Sequence, residues 1–162
     1  MHRLALAALS LAILAACQPA TIELTEEQKT EIADEVNDVH VAMWDAWRAA
    51  DLDRGMSFFD TSPDLGWGFA GEMRFRIDNI TAWFRPMLAG VERQDITFDE
   101  RRTVVLSDDV VCVMERGTYT AFDSAGATLG SSPLAATVVW TRRDGEWKIV
   151  AGHESTPAPE TE

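Results

Sequence analysis

Cysteine is nearly missing from this sequence: Cys17 and Cys112 are the only two in 162 residues. Two thiols so far apart cannot staple a disulfide-dense scaffold, so apolar packing must hold the fold. Basic residues are scarce as well, with 14 Lys and Arg against 27 Asp and Glu, for a formal charge of -13. A surface this acidic repels phosphate backbones, which excludes nucleic acid as a partner. Histidine occurs three times, and no spacing gathers three ligands, so no metal and no other cofactor is expected. Repeats, low-complexity tracts and interdomain linkers are absent. What is there is ordinary: 46% hydrophobic and 25% charged residues, the composition and length of one globular domain.

The one long apolar run is Leu4 to Ala16, behind a short basic start at His2 and Arg3. As a helix it would rise roughly 20 Å, short of the ~30 Å hydrocarbon core, so it reads as an export signal and not as a span. It ends in Leu14-Ala15-Ala16-Cys17, which resembles the lipobox of bacterial lipoproteins. The resemblance implies cleavage after residue 16 and acylation of Cys17 on its sulfur and its new amino group. Two or more acyl chains anchor stably where one does not. The other reading is a plain signal peptide with a chance cysteine. Gln18 stands where an aspartate would resemble the inner-membrane retention signal, so a periplasm-facing outer-membrane anchor is expected. Residues 17–24 then form a lipidated tether, 25–155 the domain and 156–162 a frayed tail.

With Cys17 lipidated, Cys112 lacks an intramolecular partner. It lies inside Val110-Val111-Cys112-Val113-Met114, where a thiol reads as a small core residue. No adjacent polar group would activate it as a nucleophile.

Thr25 with Gln28 gives a capping box. Ile32, Val36, Val39, Met43 and Trp47 then recur at helical spacing to about Ala50, with Glu31, Asp34, Asp38 and Asp45 opposite. Asp51 to Phe59 reads as a second, short helix. Pro63, Gly66, Gly68 and Gly71 break the pattern around Trp67 and Phe69, predicting short strands joined by a turn. Asp78 to Leu88 returns to helical spacing, with Ile80, Trp83, Phe84 and Met87 on one face and Pro86 ending or kinking it. Beyond Gly90 the chain is strand-like over Ile96–Leu106, Val110–Phe122, Leu134–Arg143 and Trp147–His153. Asp144-Gly145 and the other short Asp-rich links predict antiparallel neighbours. Helices first and a strand meander afterwards define an α+β domain, with helices on one face of a curved antiparallel sheet.

The run Val138-Val139-Trp140-Thr141-Arg142-Arg143-Asp144-Gly145-Glu146-Trp147-Lys148-Ile149-Val150, followed by His153-Glu154-Ser155, resembles the closing hairpin of SnoaL-like domains. Trp44, Trp47 and Asp51-Leu52-Asp53 fit the same pattern at the start. These domains form a branch of the cone-shaped nuclear-transport-factor-2-like superfamily. The resemblance implies that α+β cone over residues 26–155. It does not name a function, because isomerases, cyclases, dehydratases, hydrolases and pure binding modules share the fold. The aspartate base of the superfamily's isomerases has no residue-by-residue counterpart here, since Asp64 sits in a Pro–Gly turn.

The residues themselves offer these candidates. Trp147, Ile149, Ala151 and His153 alternate onto one face, so His153 is expected at the open end of the cone as an acid or base, or else as a strand-end structural histidine. His40 borders the apolar stripe of the first helix and is either a satisfied core group or a pocket residue. Glu115 shares a strand face with Val111, Val113 and Tyr119. Turned inward, it would have a raised pKa and suit general-base work; turned outward, it would leave Val110, Cys112 and Met114 in the core. Trp44, Trp67, Trp83 and Trp140 either wall a pocket for a flat ligand or fill the core.

The expected site is therefore His40, Trp44, Trp67, Tyr119, Trp140 and His153. The favoured reading is a non-catalytic lipoprotein binding a small apolar or aromatic molecule, as a homodimer through the outer sheet face. The alternatives are a small isomerase, dehydratase or cyclase using His153 or Glu115, and an envelope protein-interaction module.

Overall fold

The structure, a computed structural model, describes residues 23–157. The export signal, the lipobox with Cys17, and residues 158–162 of the tail lie outside the described residues. No helix among those described is long and apolar enough to cross a membrane.

Helix α1 (Glu26–Arg48) opens on the expected capping box, the Thr25 side chain accepting from the Gln28 amide while Gln28 reaches back to the Thr25 amide. Its apolar stripe is buried at Ile32, Val36, Met43 and Trp47, and its acidic side faces solvent. Leu24, assigned above to the tether, already packs against the core. Helix α2 (Leu52–Met56) is shorter than the sequence suggests, and Asp51 caps it by accepting from the Arg54 amide. Strands β1 (Gly66–Phe69) and β2 (Glu72–Phe75) form the small hairpin around Trp67. Helix α3 (Ile77–Met87) buries Ile80 and Phe84 and stops one residue past Pro86, which has no amide to extend it. Met87 is exposed rather than buried.

Four long strands follow: β3 (Arg93–Val105), β4 (Val110–Phe122), β5 (Thr128–Arg143) and β6 (Glu146–Ser155). Strand β5 starts before the expected Leu134 and runs through Pro133, beyond the last β6 pair at Ala135–Ser155, where a missing amide is tolerated. The six-stranded order is β2-β1-β6-β5-β4-β3; every pair is antiparallel except β1 with β6. The β5–β6 turn has Asp144 and Gly145 at φ 51° and 85°, the positive values that a two-residue hairpin needs.

The core lies between the helices and the inner face of this sheet, where Val111, Val113, Val138, Trp140 and Ile149 are fully buried. Strand β4 thus turns Val111, Val113, Glu115 and Tyr119 inward, and Cys112 and Met114 outward. Cys112 is consequently a half-buried residue of the outer face and not a core residue. Burial pushes its thiol pKa up, away from the reactive thiolate.

One irregularity decides the site. Val139 pairs with Ala151 and Trp140 with Ile149, leaving Val150 as an extra residue in β6. A bulge of this kind reverses which side chains face inward beyond it. Trp147 and Ile149 are buried as expected, but Ala151 and His153 emerge on the outer face, and Gly152 and Glu154 turn toward the core.

Candidate functional site

Two polar centres lie on the inner side of the sheet. The first is sealed. His40 is wholly inaccessible and Glu115 is 5% exposed. The Trp140 indole N–H donates to His40 Nδ1 at 3.2 Å, so that nitrogen carries no proton. The proton is then on Nε2, which donates to Glu115 Oε1 at 2.8 Å. Trp44 Nε1–H donates to the same carboxylate oxygen at 2.6 Å, and Arg101 Nε–H donates to Oε2 at 2.8 Å. Burial alone would raise the Glu115 pKa; the His40 hydrogen bond and the Arg101 charge outweigh it and hold the carboxyl below its usual range. Glu115 points inward, as one of its two readings required. Its carboxylate is nonetheless a saturated acceptor with no raised pKa, which removes the basis for a general-base role. His40 and Trp140 belong to this network and do not line a cavity.

The second centre is open. A cavity of about 390 Å³ lies between the inner sheet face and the helices. Met43, Trp44 and Trp47 of α1, Phe84 and Met87 of α3, and Trp67 and Phe69 of β1 supply an apolar wall. Ile96, Tyr119, Ala121 and Leu134 of the long strands close the far side. Of the expected ligand residues, Trp44, Trp67 and Tyr119 are brought together here. His153 is not: it is exposed on the opposite face, where it and Met73 cover Gly68. Trp83 also lies outside the lining, stacked beside Phe69 and Phe84 with Arg74 over its ring. Asp64 is exposed in its turn.

Glu154 is the residue that the sequence reading missed. Among the described residues it is the one charged residue lining the cavity, placed inward by the bulge at Val150. Burial, followed by the negative charge of Glu115, pushes its pKa up to about 7. The two carboxylates flank Ala136, which pairs with Glu115 on one side and Glu154 on the other. Trp67, in register with Gly152 of β6, is 2% exposed, and its buried indole N–H finds no partner. Trp44, Trp140 and Trp147 do bond theirs. Gly152 makes the Trp67 position possible, since a Cβ there would lie 2.1 Å from the indole ring. Among the described residues, no group of three His, Cys, Asp or Glu side chains could hold a metal ion.

A curved sheet with three helices on its inner face, enclosing one mostly apolar cavity, defines a cone-shaped α+β protein of the nuclear-transport-factor-2-like class. Solved structures with this fold include a member of that family from Streptomyces avermitilis, provisionally named a dehydratase: 15% identity, 78% of this chain, 96% of that chain, TM-score 0.67. A superfamily protein from Salmonella enterica matches at 20% identity, over 85% of this chain and 96% of its own, with TM-score 0.64. The association domain of the Caenorhabditis elegans kinase CaMKII matches at 18% identity, over 81% and 100%, also with TM-score 0.64. The SnoaL-like domain family matches residues 36–159, and the chain belongs to that family. Among curated proteins, none matches the chain.

Proposed function

We propose that this domain binds a small, largely apolar, flat molecule in the cone cavity while tethered to a bacterial membrane through lipid on Cys17. The observation that carries this reading is the aromatic cavity itself. Its volume of about 390 Å³ lies in the roughly 300–1,000 Å³ range of small-molecule sites, and like them it is mostly apolar with few polar groups. The lipobox and Gln18 support a periplasm-facing, outer-membrane location. A homodimer through the outer sheet face is supported by Met73, Phe75, Val104 and Met114, all of them more than one-third exposed.

One observation favours a second reading, an isomerase- or dehydratase-type enzyme. A cavity carboxyl with a pKa of about 7 is present in both protonation states near neutrality, as a general acid or base requires. Glu154 would take that role in place of His153 and Glu115.

Native mass spectrometry of the soluble chain from Gln18 onward tests the first reading. The expected spectrum shows a retained small molecule, lost on unfolding, on a dimer. A monomer that stays empty after incubation with apolar aromatic compounds would count against both the cavity and the dimer.

A further inference from the structure

Resting on the cavity reading, we propose that the largely apolar ligand carries one organic ammonium group, paired with the Glu154 carboxylate inside the aromatic cavity. Six rings line that cavity, from Trp44, Trp47, Trp67, Phe69, Phe84 and Tyr119, and Glu154 is the one charged side chain among the described lining residues. Phe69 stands in register with Glu154 on the neighbouring strand β1. Taking a charge out of water is costly unless partners replace the lost solvation. Aromatic rings do this for a cation, whose charge is drawn to the negative face of the π system, and quaternary ammonium groups are held in aromatic cages on that principle. A carboxylate beside the rings adds an opposite charge. The combination suits an ammonium better than it suits a neutral hydrocarbon or an anion.

The charges around Glu154 point the same way. The ionisable groups facing it are Glu115 across Ala136 and Tyr119 on the same strand β4. His40 of α1 and Arg101 of β3 are hydrogen-bonded to Glu115 and committed to it. Strand β1 and helix α3 bring Trp67, Phe69, Phe84 and Met87 to the cavity, none of them charged. No Lys, Arg or His lines it among the described residues, so the positive partner of Glu154 must come from the ligand. The formal charge of -13 on the chain draws cations toward the protein and repels anions. Burial and the Glu115 charge lift the Glu154 pKa to about 7; an ammonium beside the carboxyl favours its charged form and expels the proton. Binding of a permanently charged ammonium should therefore strengthen as pH rises through about 7.

The test uses the full chain carrying Cys17→Ser and follows tryptophan fluorescence, since Trp44, Trp47 and Trp67 line the cavity. The probes are benzyltrimethylammonium, its neutral isostere neopentylbenzene, and the anion phenylmethanesulfonate. The expected preference for the ammonium over the isostere is at least fivefold larger at pH 8.5 than at pH 5.5, and the sulfonate is the weakest of the three at pH 8.5. Glu154→Gln should make the preference independent of pH and lower it severalfold at pH 8.5. A preference that is the same at both pH values, or a sulfonate that binds as tightly as the ammonium, overturns the proposal and leaves the cavity reading intact. A pH-dependent preference that survives Glu154→Gln also overturns it, because the cation then sits on the acidic surface. Failure of all three probes to bind removes the cavity reading, and the proposal with it. The comparison of probes at two pH values decides the matter even if Glu154→Gln does not fold.

Discussion

At the scale of single residues, two carboxyl groups on either side of Ala136, Glu115 and Glu154, have separate fates. Both are desolvated, yet Glu115 ionises more easily, because the hydrogen bonds from His40 and Arg101 and the Arg101 charge hold its charged form against burial. Glu154 has no such partners and a like charge two strands away, so its proton is retained. This has a consequence for stability. The native state keeps the Glu154 proton up to pH about 7, whereas the unfolded chain releases it near 4.5. Between those values the unfolded state is favoured progressively, and stability falls as pH rises, by on the order of 3 kcal/mol across the window. Glu154→Gln is expected to flatten the fall between pH 4.5 and 7, measured as denaturation free energy against pH. The depressed carboxyls of Glu115, Asp60 and Glu35 act with the opposite sign, below their ordinary values, where acid protonates them and stability is lost. The two regimes can therefore be read separately. An unaltered slope between pH 4.5 and 7 in the variant would mean that Glu154 is not the group responsible.

At the scale of elements, the β6 bulge is the feature on which the site depends. Strict alternation from Trp147 and Ile149 leads to His153, and one extra residue at Val150 exchanges it for Glu154. The exchange also places Gly152, not a side chain, opposite Trp67. A methyl group at Gly152 would overlap the six-membered indole ring at 2.1–2.8 Å, and rigid aromatic rings give way only by moving strand β1. Gly152→Ala is expected to destabilise the domain by ~1–3 kcal/mol, as overpacking of a close-fitted core does. It should also reduce occupancy of the cavity, because Trp67 must shift. A denaturation midpoint equal to that of the unsubstituted protein would show that the indole is not seated against β6.

At the scale of the whole molecule, the lipid anchor proposed at Cys17 is expected to be separable from the folded domain. Leu24 already joins the core, so a lipid on Cys17, as proposed, would be separated from it by only Gln18 to Glu23, six residues that span at most about 20 Å. Anchored at Cys17, the cone would sit close to the bilayer surface, a short path for an apolar ligand that partitions into lipid. Cys17→Ser is expected to move the protein from the membrane fraction to the soluble fraction without changing its unfolding midpoint. A variant that still sediments with membranes would defeat the lipid anchor. The sequence by itself determined the capped first helix, the strand meander, the Asp144–Gly145 turn and the class of fold, because helical spacing, cap chemistry and positive-φ turns are local properties. It also named Trp44, Trp67 and Tyr119 among the cavity residues. Only the tertiary structure decided that Glu115 is locked by groups from α1 and β3, since Arg101, Trp44 and His40 lie 14, 71 and 75 residues from it in the chain. It alone placed Glu154 inside and His153 outside, because a bulge is fixed by how two strands pair and leaves no mark in the alternation of either one.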